Sequence, residues 1–203
     1  MRLNGKNISF RYKKNNWILN KVNISLKSGE VLGLIGDSGS GKSTLCKILS
    51  GYENSYHGSV TIDKKEIPSN MYNPIQLIFQ HPEKAVNPKW KMKDILNEGN
   101  NVSNEILESF GIKQAWLNRW PHELSGGELQ RFALARALGH QTKFIIADEI
   151  TTMVDAITQA QIWDTIMDIA EEQNIGVLVV SHEKNLIKHL CQDILYLDDI
   201  NNV

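Results

Sequence analysis

The apolar positions of this chain follow two spacings, which together predict a sheet covered by helices. Short unbroken apolar runs, typical of strands that are buried on both faces, occur at Val31–Ile35, Phe144–Ala147 and Gly176–Val180. Between the last two runs, Ile162, Ile166 and Ile169 recur at helical spacing. Strands that alternate with helices in this way predict a mainly parallel sheet with right-handed crossovers.

A weaker alternation of apolar and polar residues over positions 7–26 predicts antiparallel strands before that sheet. Further strands are predicted at Gly58–Asp63, within Asn73–Gln80 and at Ile194–Leu197. Between residues 81 and 125 prolines interrupt the pattern, and short helices are predicted at Asp94–Glu98, Asn104–Gly111 and Gln114–Asn118. We therefore expect a single α/β domain over residues 1–203. Its core (1–80 and 126–203) would include an N-terminal antiparallel part and carry an inserted helical subdomain (81–125).

Composition narrows the classes of partner. The 203 residues are 41% hydrophobic, which is enough for a core, and the net charge of −1 gives no basic field for nucleic acid. No apolar stretch approaches the roughly 20 residues that span a bilayer, so any work at a membrane would proceed by docking on other subunits. Cys46 and Cys191 lack metal-ligand spacing, and we expect both to be buried apolar residues in a reducing compartment.

The most specific motif is a nine-residue stretch with the pattern GxxxxGK[ST], between a predicted strand and a predicted helix. This context is typical of a phosphate-binding loop, and a glycine turn that only caps a helix is the weaker interpretation. Loop amides and the helix N-terminus would face the phosphates, Lys42 would reach the β- and γ-phosphates, and Ser43 would ligate Mg²⁺. The candidate nucleotide-binding residues of this loop are Gly36, Asp37, Ser38, Gly39, Ser40, Gly41, Lys42, Ser43 and Thr44.

A second motif, LSGGELQR, begins at residue 124. Ser125 and Glu128 have the spacing of a capping box at a helix N-terminus. That box does not explain Gly126 and Gly127, since each glycine costs a helix roughly 1 kcal/mol relative to alanine. Two glycines in a first turn indicate that a ligand, such as a γ-phosphate, approaches the bare amides.

The apolar run at Phe144–Ala147 ends in two acids, Asp148 and Glu149. Ligands of parallel sheets bind beyond the carboxyl ends of the strands, so both carboxylates should meet the phosphate loop. Asp148 is suited to holding Mg²⁺. A solvated acidic strand end is the alternative interpretation.

With LSGGE lying between the phosphate loop and the acidic strand end, the chain resembles the ATP-binding cassette (ABC) ATPases over nearly its whole length. The resemblance implies ATP and Mg²⁺ as cofactors and a signature segment (residues 125–128) that faces the ATP of a partner subunit. It implies that Glu149 is the general base that polarises the attacking water. It also implies roles for further residues. Gln80 would contact Mg²⁺ or the attacking water, and His182 would contact the γ-phosphate and orient Glu149. Asp155 would lie in the loop that crosses to the partner's site.

An aromatic residue is expected to stack on adenine in this family. Tyr12 is at the corresponding position, and Phe10 and Trp17 are the alternatives. Two positions depart from the family pattern: Asp37 stands where proline or glutamate is common, and Ile150 replaces a common proline. Neither change removes a chemical group from the site.

Two stretches, QLIFQHP from residue 76 and WPHELSGG from residue 120, resemble the ATPases of peptide and nickel importers. This resemblance implies an ATPase subunit of an importer for oligopeptides, dipeptides or nickel and metallophore complexes, peripheral on the cytoplasmic face of the cell membrane. Its partners would be two transmembrane permease subunits, a paralogous ATPase or a second copy of itself, and an extracytoplasmic solute-binding protein. An exporter ATPase, a soluble ABC protein and a non-hydrolysing binding module are the alternatives.

Overall fold

The strands of the computed structural model, which describes residues 1–14, 16–67, 71–98, 102–152 and 154–203, form two sheets. A four-stranded sheet has the order β2-β1-β4-β5, and a five-stranded sheet has the order β6-β7-β8-β3-β9. The strands of the described residues are β1 (Arg2–Phe10), β2 (Leu19–Lys27), β3 (Val31–Ile35), β4 (His57–Ile62), β5 (Lys65–Glu66), β6 (Ile75–Ile78), β7 (Phe144–Asp148), β8 (Gly176–Val180) and β9 (Asp193–Tyr196).

The helices follow the strands in the alternation expected from the sequence. Short 3₁₀ turns add Pro82–Lys84, Gln114–Trp116 and Pro121–Glu123. The α-helices of the described residues are α1 (Lys42–Leu49), α2 (Met92–Asn97), α3 (Asn104–Ser109), α4 (Gly126–Ala137), α5 (Ala156–Glu172), α6 (Lys184–Leu190) and α7 (Leu197–Ile200). Among the described residues, no helix combines the length and apolar character that a membrane crossing requires.

The five-stranded sheet is parallel throughout, which confirms the α/β class. Every residue of β7 and β8 is buried, so these central strands are covered on both faces. The strand before the phosphate loop, β3, pairs with β8 on one side and with β9 on the other. The carboxyl ends of β3, β6, β7 and β8 therefore lie along one edge of the sheet, and the residues that follow them form the site.

The four-stranded sheet is antiparallel and shares an apolar core with α1 and one face of the parallel sheet. Its first strand begins at Arg2, five residues before the predicted start of the alternation at residue 7. Two features hide the alternation in the sequence: the inward residue Gly5 has no side chain, and a register irregularity between Gly5 and Ile8 shifts the inward positions by one residue. A Cβ on Gly5 would lie only 2.7 Å from Ile8 Cδ1, so the packing leaves no room for a side chain there.

The segment between β6 and α4 contains the short helices α2 and α3, as predicted, and they pack with α4 in one apolar cluster. The helix predicted at Gln114–Asn118 is instead the 3₁₀ turn Gln114–Trp116. The two cysteines lie in apolar surroundings. Cys46 is fully buried in α1, and Cys191 is half-buried, with its pKa raised to about 12 by burial.

Candidate functional site

The phosphate loop turns sharply from β3 into α1. Gly39 and Gly41 have positive φ angles of 80° and 107°, a backbone conformation that favours glycine. A Cβ on Gly41 would also lie 2.9 Å from Ile18 Cγ2. No side chain caps the N-terminus of α1, so the positive end of the helix is open to an anion.

Lys42 holds its ammonium group at the mouth of this loop. The side chain is buried, and Nζ donates hydrogen bonds of 2.8 Å to the carbonyl oxygens of Gly36 and Asp37. An ammonium has three N–H donors, so one remains for a phosphate oxygen. The loop itself thus positions the charge, and binding of a phosphate does not require the side chain to be ordered anew.

Asp148 is a buried carboxylate at the end of β7, behind the phosphate loop. Its Oδ1 has no hydrogen-bond partner among the described residues. Burial raises the pKa of Asp148, with the Glu149 charge adding to this and hydrogen bonding to the Ser43 side chain opposing it. An unpartnered buried carboxylate beside a hydroxyl fits a bound cation, since Mg²⁺ prefers oxygen ligands. The residues present therefore fit the magnesium site expected from the sequence.

Glu149 directs its carboxylate into the cleft through an unusual backbone conformation. Its φ angle is 52°, which is uncommon for a residue other than glycine and is typical of functional sites. The Glu149 amide donates to Val180 O across the β7–β8 pair at 2.9 Å. His182, two residues beyond β8, places Nδ1 3.1 Å from Glu149 Oε1. Neighbouring strands thus bring together the two residues that the family resemblance pairs.

Gln80 joins the same group through a residue that the sequence analysis missed. Gln80 Nε2 donates to Thr152 Oγ1 at 3.1 Å, and that hydroxyl donates to Glu149 O at 3.1 Å. The amide oxygen of Gln80 takes no part in this bond, and it remains suitable as a metal ligand. A threonine three residues after the acid could suggest a side-chain turn, but no sequence pattern connects it to Gln80.

Lys42, Gln80 and Glu149 line a cleft of about 340 Å³, whereas Asp148, Thr152 and His182 are not part of its lining. Tyr12 lines it and is exposed, with its hydroxyl 3.4 Å from Thr44 Oγ1. The two alternatives to Tyr12 do not line the cleft: Phe10 is buried with its ring edge-on to Tyr12, and Trp17 packs against Tyr56 and lines a neighbouring pocket. Of the predicted loop residues, Gly36, Asp37 and Ser40 do not line this cleft. Its lining comprises Tyr12, Ile18, Ser38, Gly39, Gly41, Lys42, Ser43, Thr44, Gln80 and Glu149.

The signature segment starts α4 and forms the capping box expected from the sequence. Ser125 Oγ accepts from Glu128 N at 3.2 Å, and Ser125 N donates to Glu128 Oε2 at 2.8 Å. This second bond is the main cause of the lowered pKa of Glu128. Gly126 and Gly127 both have ordinary helical backbone, and a Cβ on either would meet none of the described residues within 4 Å. Neither conformation nor packing requires glycine here, and the segment does not line the cleft.

Asp155 is the N-cap of α5 and likewise does not line the cleft. Its carboxylate accepts from the amides of Ile157 and Thr158 at 3.1 and 3.0 Å and from Thr158 Oγ1 at 2.7 Å. The hydrogen bonds from Thr158 are the main cause of the lowered pKa of Asp155. Within this chain, the described contacts of Asp155 are those of a helix cap.

Comparison with known proteins identifies the family to which the chain belongs. The ABC transporter family profile matches residues 19–152. The chain is 32% identical to the oligopeptide transport ATP-binding protein OppF of Streptococcus mutans, over 91% of this chain and 68% of that protein. It is 30% identical to the nickel import ATP-binding protein NikE of Shigella boydii, over 90% and 75%. A dimeric post-hydrolysis structure of the ATP-binding cassette MJ0796, bound to ADP and Pi, superposes with a TM-score of 0.81 at 27% identity, covering 96% and 93%.

Proposed function

Because the chain belongs to the ABC transporter family and is an ATP-binding cassette ATPase, we propose that it powers an importer for oligopeptides, dipeptides or nickel and metallophore complexes. The names of the relatives support this substrate range, since they are transport ATP-binding proteins for oligopeptides, dipeptides and nickel. The QLIFQHP and WPHELSGG stretches of the sequence support the same subfamily.

One observation carries the catalytic assignment. The Glu149 carboxylate lines the same cleft as Lys42 and is held by His182 at 3.1 Å. Glu149 is the general base that takes a proton from the attacking water, and His182 keeps the carboxylate oriented. Lys42 and the loop amides bind the phosphates and stabilise the charge that develops on them. Tyr12 stacks on adenine at the open end of the cleft.

Ser43, Asp148 and Gln80 would hold Mg²⁺, which when bound neutralises charge on the β- and γ-phosphates. Asp148 supports this role best, because its buried Oδ1 has no hydrogen-bond partner in the part of the chain that the structure describes. The Gln80–Thr152–Glu149 chain of hydrogen bonds gives a route from this site to the segment after β6. A movement of Gln80 would therefore displace the backbone of Glu149, the general base.

The signature segment acts on the nucleotide of a second cassette. Among the described residues its glycines have open space around them, and the segment does not line the chain's own cleft. Two cassettes pairing head to tail would bring each signature segment onto the other's phosphates, and Asp155 would lie near that junction. The second cassette is either a paralogous ATPase or a copy of this chain.

In the assembled importer the pair docks on two transmembrane permease subunits at the cytoplasmic face of the membrane, and an extracytoplasmic protein delivers the solute. Purification of the tagged chain from its native membranes in mild detergent, followed by mass spectrometry, tests this. We expect two multi-spanning proteins, a second cassette and a solute-binding protein that can be screened with peptides and nickel complexes. Permeases that reproducibly purify without any binding protein would indicate an exporter. Ribosomal or DNA-repair partners would contradict transport altogether.

A further inference from the structure

Residues 201 and 202 lie along the free edge of the antiparallel sheet, close to the phosphate loop. β2 is the edge strand of that sheet, and its second residue, Asn20, bonds to both. Asn20 N donates to Asn201 Oδ1 at 2.8 Å, Asn202 N donates to Asn20 O at 3.1 Å, and Asn20 Nδ2 donates to Asn202 O at 2.7 Å. These bonds cover an edge that would otherwise present unpaired backbone groups.

One further bond leads from this edge to the nucleotide cleft. Asn201 Nδ2 donates to Ile18 O at 2.9 Å, while Ile18 N donates to Phe10 O at 2.9 Å. The backbone of Ile18 is therefore held on both sides. Its side chain lies against the phosphate loop, with Cγ2 2.9 Å from the Cβ position of Gly41. Ile18 separates the cleft from a neighbouring pocket of about 480 Å³, which Asn201 lines.

We propose that Asn201 is a positioning residue for the nucleoside end of ATP, and that it acts by fixing Ile18 as a wall of the cleft. The inference rests on the proposed use of this cleft for ATP. Ile18 offers only apolar surface to a ligand, so it contributes nothing to phosphate, which Lys42 and the loop amides bind. Its contact is with the base or ribose, next to the ring of Tyr12.

The asparagine can be tested because its two amide atoms serve different partners. Asn201→Asp keeps an acceptor for Asn20 N and replaces the donor to Ile18 O with an oxygen that repels that carbonyl. We expect the Kd of the non-hydrolysable analogue AMP-PNP, measured by calorimetry with Mg²⁺, to rise about two- to tenfold, the factor that one net hydrogen bond supplies. The Kd of inorganic tripolyphosphate should stay unchanged. In steady state, KM for ATP should rise while kcat stays constant.

Asn202→Ala is the matched control. Among the described residues, the Asn202 side chain makes only a marginal 3.5 Å contact with Asn20 O, and the bonds of the Asn202 backbone to Asn20 persist without it. This variant should bind AMP-PNP as the wild type does. Asn201→Ala removes both side-chain bonds without adding charge, and it serves as the second variant if N201D does not fold.

Three outcomes would overturn the inference. If N201D and N201A bind AMP-PNP with wild-type affinity, Ile18 does not depend on Asn201. If AMP-PNP and tripolyphosphate weaken equally, the substitution disturbs the whole site, and Asn201 is only structural. If the wild-type chain binds tripolyphosphate and AMP-PNP equally well, no nucleoside subsite exists. Failure of the wild type to bind either ligand would instead refute the proposed function.

Discussion

The phosphate-loop cleft and the start of α4 both present helix amides to solvent, but they differ in how complete they are. In the cleft, Lys42 is held by two carbonyls and Glu149 by His182. At the start of α4, Gly126 and Gly127 stand open, with no neighbour within 4 Å of a Cβ. A concave site can bind an anion alone, whereas a projecting helix start needs a second surface to enclose the ligand. This difference is what the proposed site shared between two cassettes would require of its two parts.

The largest loss of turnover should come from a substitution in the phosphate-loop cleft. Glu149→Gln keeps the size of the side chain and leaves the backbone conformation unchanged, but it replaces the basic carboxylate with an amide. We therefore expect kcat to fall about 10²- to 10⁴-fold. ATP binding should persist, because the loop and Lys42 are untouched. Steady-state hydrolysis and calorimetry measure the two quantities. Turnover at the wild-type rate would remove Glu149 from the role of base.

The next largest loss of turnover should come from a substitution at the start of α4. Ser125→Arg places a long cation where the second surface must close, and turnover should fall about 10²-fold or more while the isolated subunit still binds ATP. Loss of ATP binding by the isolated subunit would mean that Ser125 serves its own cleft.

Mixing two inactive variants sharpens this comparison further. In a pair made of E149Q and S125R chains, one site combines the intact cleft of S125R with the intact signature segment of E149Q. If copies of this chain pair with each other, an equal mixture should recover about a quarter of the wild-type turnover. Absence of recovery, with wild-type activity present only after addition of a paralogue, would identify the second cassette as the paralogous subunit.

A smaller effect should raise the stability of the fold while it lowers turnover. Gly126 has helical backbone and free space, so Gly126→Ala should stabilise the fold by roughly 0.4–1 kcal/mol and raise the melting temperature by a few degrees, while turnover falls. Gly39 is the matched control: it also has free space, but its φ of 80° makes alanine strained and destabilising there. If G126A leaves turnover intact, no ligand approaches that amide.

Local sequence patterns were sufficient to predict the parts of both regions that depend on residues close together in the chain. The strand, loop and helix around Lys42, the parallel sheet and the Ser125–Glu128 capping box all follow local patterns, and they are present in the structure. Contacts that depend on tertiary geometry were beyond local patterns. The left-handed backbone of Glu149 has no local signal in the sequence. The Thr152 link to Gln80 and the bonds of Asn201 with Ile18 and Asn20 join positions that no periodicity relates. The early start of β1 was hidden because Gly5 has no side chain and because the register irregularity after it shifts the alternation by one residue.

The smallest effect separates two roles for Asp155. Its hydrogen bonds lower its pKa, so the carboxylate stabilises the fold at pH values above its ordinary pKa of about 4, and this contribution is lost as pH falls through the lowered value. Asparagine can also cap α5 but does not titrate, so the melting temperature of D155N should fall less than that of the wild type on acidification. Asp164→Asn removes the same charge from the middle of α5 and serves as the control. A D155N variant with the acid stability of the wild type but reduced turnover would assign Asp155 to the site shared with the second cassette. That result would exclude capping of α5 as its main role.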